Sequence, residues 1–176
     1  MSDLLDQLPA LLGVVVGTVG TILATHLADR ARWARAQSVR WDERRMDAYA
    51  DYARAIKELH NLAFRMTAAR RADSRTQPLE RPDGLRLLDR AEAHRTKAWE
   101  AALLLGDTET VAAARSWREA VRQFELLAQR PDCDLTGWDQ GVRSADGARD
   151  AFYLAARRSL DIPGGSVVQS SWLSTR

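Results

Sequence analysis

From Leu8 to Ala28 the chain runs for 21 residues, LPALLGVVVGTVGTILATHLA, without one Asp, Glu, Lys or Arg. No other feature restricts the fold so strongly. At 1.5 Å rise per residue a helix of this length covers roughly 31 Å, the thickness of a bilayer hydrocarbon core. Pro9 falls in the first turn, where its missing N–H is tolerated. The run Val14-Val15-Val16 has strand character, but a soluble strand is far shorter. A buried soluble helix seldom stays uncharged on every side for so long. The stretch therefore predicts a transmembrane helix over 8–28.

The flanks orient it. Before the span lie only Asp3 and Asp6; after it come Arg30, Arg32, Arg35, Arg40, Arg44 and Arg45. Positive-inside reasoning places the short tip, residues 1–7, outside and the C-terminal bulk in the cytoplasm of a single-pass plasma (inner) membrane protein. A cleavable leader needs a basic n-region, which residues 1–7 lack, so the span reads as an uncleaved signal anchor. Arg30, Arg32, Trp33 and Arg35 are the candidate lipid-headgroup contacts, each basic residue worth about 1 kcal/mol against an anionic surface.

Within the span, Gly13 and Gly17 form a GxxxG, and Gly20 with Ala24 adds a second small-residue pair. This spacing lets two helices approach closely and fits a homo-oligomer, although glycines exposed to lipid satisfy it equally well. Thr18, Thr21 and Thr25 share a helical face, which keeps a small homo-oligomeric pore among the alternatives. His26 sits about one turn from the cytoplasmic end, near Asp29 and Arg30, and reads as interfacial.

Composition bounds the remainder. With 45% hydrophobic residues and a lone Cys133, neither disorder nor a disulfide framework fits. A mean hydropathy of −0.37 excludes a polytopic membrane protein. The net charge of +2 is too small to indicate a nucleic-acid partner. Two of the 24 acids and none of the 26 bases lie in residues 1–28, so the rest of the chain carries +4.

Beyond the span the periodicity is helical throughout. Residues 29–45 lack an apolar seam and read as a basic juxtamembrane stalk, with a bundle over 46–161 and a polar tail over 162–176. A first helix to about Arg71 carries Met46, Tyr49, Tyr52, Ile56, Leu59, Ala63 and Met66 in steps of three and four. A second, Asp83 to Leu105, aligns Leu88, Ala91, Ala98, Ala102 and Leu105, and Gly106 stops it as a C′ residue. Asp107 or Thr108 caps a third helix with Ala114, Trp117, Val121, Phe124 and Ala128. Thr136 and Asp139 have capping-box spacing for a fourth, whose inner face is Val142, Ala145, Ala148, Phe152 and Ala155. Matched lengths and short connections predict an all-α fold: a transmembrane helix continuing through a stalk into an up-down-up-down four-helix bundle. Its Ala-rich seams imply a thin core.

No constellation nominates a catalytic, cofactor or metal site. A bundle di-metal centre uses Glu-x-x-His, whereas Glu58/His60 and Glu92/His94 are spaced i, i+2, so the two side chains diverge. Both histidines read as solvated or half-buried. Cys133, between Asp132 and Asp134, has no second thiol or nearby histidine for zinc. Arg70-Arg71 and Arg157-Arg158 are basic pairs in helices that mix both signs, the pattern of a solvated face.

The span, His26-Leu27-Ala28-Asp29-Arg30, Trp41-Asp42-Glu43-Arg44-Arg45 before Tyr49-Ala50-Asp51-Tyr52, and the closing Ala155-Ala156-Arg157-Arg158-Ser159-Leu160 together resemble a group of uncharacterised single-span, helical-bundle membrane proteins of actinobacteria. The likeness covers most of the chain by general style. That group has no established activity, so it implies a location and an architecture only. The expectation is a membrane-anchored helical interaction or scaffolding module with lipid and protein partners. A membrane-linked sensor or regulator is the alternative, and an enzyme fits least.

Overall fold

The computed structural model describes residues 40–73, 75–130 and 136–164. All their regular structure is helical: α1 over 40–67, α2 Arg81–Leu105, α3 Thr108–Gln129 and α4 Trp138–Ser159. The chain divides into two compact units, Met1–Glu43 and Arg44–Arg176, and the helical bundle is the second.

Local chemistry sets the helix ends. α1 stops at 67, four residues short of the expected boundary. The buried Thr67 hydroxyl donates back to Ala63 O at 2.9 Å, and Ala72 turns the chain with φ 52°. α2 begins two residues earlier than expected because Pro82 fits within its first turn. Gly106 ends α2 in extended backbone, φ −78°, rather than the left-handed cap expected of a glycine there. Its glycine identity has another cause: a Cβ would lie 2.5 Å from Ala102 O. Asp107 caps α3 as expected, its Oδ1 accepting from Thr110 N at 2.7 Å. The Thr136–Asp139 capping box is replaced by Gly137, which takes the N-cap position of α4 with φ 85° and supplies no side-chain cap.

Consecutive helices run antiparallel. Arg45 Nε, near the start of α1, donates to Leu105 O at the end of α2 (3.0 Å), and Tyr49 Oη meets Ser159 Oγ at the end of α4 (3.0 Å). At the opposite end Arg70 donates to Leu127 O and Arg130 O, and Phe64 packs on Trp138 at the start of α4. The α3 C-terminus has no basic residue in its own last turn. Arg70 beyond α1 and Arg81 of α2, which donates to Gln129 O, supply the cation and the donors instead.

The core has two aromatic levels. In the middle each helix contributes one ring: Tyr52, Trp99, Trp117 and Phe152, with centroids 5.5–5.7 Å apart along the chain of contacts. Nearer the α1 C-terminus, Phe64, Phe124 and Trp138 meet at 4.8–5.8 Å. Buried alanines fill between them, from Ala53 and Ala63 to Ala98, Ala114 and Ala145, allowing the close approach that the seams imply. Gly84 takes this furthest, since a Cβ there would fall 2.5–2.9 Å from the Met66 side chain. Met46, expected in the α1 seam, is exposed, because the packed face of α1 begins only at Ala48 and Tyr49.

Candidate functional site

The residues expected to pack the span (Gly13, Gly17, Gly20, Ala24) and to meet headgroups (Arg30, Arg32, Trp33, Arg35) lie outside the described residues. Among the described residues no helix is long and apolar enough to cross a membrane.

What the bundle does assemble is polar. α2 carries Glu92, Arg95 and Trp99 at i, i+3 and i+7, and α3 carries Arg115, Arg118 and Glu125 at i, i+3 and i+10; both sets face the α2–α3 crevice. Arg118 Nη1 and Nη2 donate to the two Glu125 oxygens at 3.0 and 3.2 Å, and Nη2 also reaches Glu92 at 3.1 Å. Arg95 donates to Glu92 through Nε and Nη2 at 3.0 and 2.9 Å. Burial pushes the Glu92 carboxyl up, but Arg95 and Arg118 outweigh it and hold the group below its ordinary value. For Glu125 burial wins over Arg118, and its carboxyl is raised. Beneath them the buried Tyr52 hydroxyl donates to Ala114 O at 2.8 Å, and desolvation pushes it up to about 12, so it stays a neutral phenol.

Arg118 separates two cavities of about 240 Å³ each. One is lined by Asp89, Glu92, Arg122 and Glu125 among others, the second by Tyr52, Trp99 and three arginines.

A second charged cluster is buried on α4. Arg149 Nη1 donates to Asp146 at 2.7 Å and Nη2 to Asp150 at 3.4 Å, all three residues being at least nine-tenths buried. Burial raises Asp146. His60 of α1 stacks on Phe124 at 5.0 Å and meets Phe64 edge-on at 4.7 Å. Among the described residues its buried Nε2 has no hydrogen-bond partner, and neither has the buried Arg149 Nε. Desolvation, helped by the Arg149 charge, lowers His60 to about 4, so it is neutral at pH 7. The half-buried reading of His60 therefore holds. His94 is exposed and stands 3.6 Å from Glu58 on the neighbouring helix. Among the described residues no three His, Cys, Asp or Glu side chains gather where they could hold a metal ion.

The two ends of the bundle differ. At the α1 C-terminal end, Arg71 lies over Phe64 and Trp138 (4.8 and 4.7 Å), beside an open basic cavity shared with Arg70 and Arg143. At the other end Met46, Leu103, Leu104 and Ile162 are exposed, Leu104 by 82%.

The buried charges are what sequence reasoning missed, because a charged residue on a helix is by default assigned to the solvated face. The spacing of Asp146, Arg149 and Asp150, at i, i+3 and i+4, was a legible sign that they pair. The linking of Glu92 to Arg118, 26 residues away, had no local sign. No protein-family model, no curated protein and no solved structure matches this chain.

Proposed function

We propose that the protein is a single-pass membrane protein, anchored by residues 8–28, that displays its helical bundle in the cytoplasm as an interaction module. The observation that carries this reading is the charge asymmetry around the span: two acids before it, none within it, and six arginines in the 17 residues after it. The interaction role is supported by Met46, Leu103, Leu104 and Ile162, exposed apolar side chains at the end of the bundle where α1 starts.

Membrane fractionation tests the anchor. The protein should stay in the pellet through an alkaline carbonate wash and be released by a non-ionic detergent; release by the wash alone overturns the reading. Orientation is tested in a Cys133→Ser background. A cysteine at Ser2 should react with a membrane-impermeant maleimide in intact cells, and one at Ser174 only after permeabilisation. The reverse pattern would place the bundle outside.

A further inference from the structure

In the Arg44–Arg176 unit, the exposed large apolar side chains among the described residues are Met46, Leu103, Leu104 and Ile162. They come from different parts of the chain, yet all four lie at the end where α1 starts. Met46 is near the start of α1, Leu103 and Leu104 close α2, and Ile162 follows α4. One exposed leucine needs no explanation, but apolar side chains gathered at one end among polar groups mark a contact surface. The exposed charges around them have both signs, Arg44 and Arg158 with Asp47, Glu109 and Asp161. These acids oppose an anionic lipid surface, whereas an uncharged segment meets no like charge here.

Such a segment leaves the bundle beside them. Residues 162–175, IPGGSVVQSSWLST, are the longest run without Asp, Glu, Lys or Arg beyond residues 8–28. The tail is polar on average, but its large apolar residues past Gly164 fall in two pairs, Val167-Val168 and Trp172-Leu173. Residues 165–176 themselves lie outside the described residues.

The last turn of α4 holds the point of departure. Ile162 N donates to Arg157 O at 3.0 Å, Asp161 N to Arg158 O at 3.1 Å, and Arg157 Nη2 to Pro163 O at 3.1 Å. Asp161 and Gly164 take left-handed backbone, φ 50° and 109°, so the chain turns here instead of prolonging the axis of α4. From Gly164 to Leu173 an extended chain reaches at most roughly 30 Å. Two helices side by side span about 20 Å, so Trp172 and Leu173 are within reach of the whole apolar end.

We propose that the tail segment 167–173 folds over the α1-start end of its own bundle and covers Leu103, Leu104, Met46 and Ile162, with Trp172 as its anchor. The tail and a protein partner then compete for one surface. A partner displaces the tail by presenting a comparable uncharged, apolar segment. That competition rests on the interaction role proposed above; the contact between tail and bundle does not.

The test uses the full chain in a Cys133→Ser background with Thr108→Cys, an exposed position at the start of α3, and Ser174→Cys. Mild oxidation in unfractionated lysate is followed by gel mobility and by mass spectrometry of linked peptides, a readout that needs neither the anchor nor a partner. A disulfide within one chain between positions 108 and 174 should be the main product. A freely moving tail would also close this pair, so the decisive comparison is its dependence on apolar contact. Leu104→Asp should slow closure about fivefold or more, and so should Trp172→Ser, both with unchanged helicity. Absence of the within-chain disulfide overturns the proposal. So does a closure rate indifferent to Leu104→Asp and Trp172→Ser, and so does a disulfide formed only between chains, which makes a second copy the occupant.

Discussion

His60 shows how one residue can make the stability of the bundle depend on pH. Its ring lies between Phe64 and Phe124, and after burial itself the charge of Arg149, whose own partners are Asp146 and Asp150, disfavours its protonation. The folded-state value of about 4 lies below the ordinary 6.5, so the unfolded chain takes up a proton first as pH falls. Stability from this group is full above pH 6.5 and is lost progressively towards pH 4, by up to about 3 kcal/mol. Thermal unfolding of the wild type should therefore show Tm falling from pH 7 to pH 5, and His60→Phe should flatten that slope; an unchanged slope would assign the effect elsewhere. Arg118 gives the second residue-scale expectation. Arg118→Met strands the buried Glu125, while Glu92 keeps Arg95, and should destabilise by about 3 kcal/mol in denaturant titration. Adding Glu125→Leu should recover most of that loss, since replacing both partners of a buried pair removes the desolvation penalty with the attraction.

Elements depend on single capping and contact groups. Asp107→Ala removes the acceptor for Thr110 N and should cost about 1 kcal/mol, read as a lower denaturation midpoint with unchanged slope. In the span, a cysteine at Val16 in a Cys133→Ser background should crosslink to its copy in native membranes if the Gly13/Gly17 face pairs; no dimer band counts against self-association. The helices themselves were legible from sequence to differing degrees. The α3 seam, Ala114 to Ala128, is buried throughout because that helix packs one continuous face. The α2 seam was legible from Leu88 to Ala102. The C-terminal end of α1 and the N-cap of α4 were not, since Ala72 and Gly137 take left-handed backbone that periodicity does not report.

At the scale of the molecule, the exposed leucines and the charge asymmetry belong to one expectation. If the bundle works by contact through its α1-start end, Leu103→Asp with Leu104→Asp should abolish recovery of any partner that the wild type brings down from native membranes. The bundle should stay folded, because both side chains already face solvent. The sequence by itself determined the helical class, the positions of the seams and the uneven distribution of charge. Each of these is a property of neighbouring residues, fixed by a 3.6-residue period or by composition over a few turns. Only the tertiary structure decided which charges leave the solvent. Glu125 and Arg118 meet on one helix, but Glu92 reaches them from another, and Tyr52 lies beneath from a third. That meeting depends on how Ala-lined helices approach and cross, a relation between distant segments that no local pattern encodes.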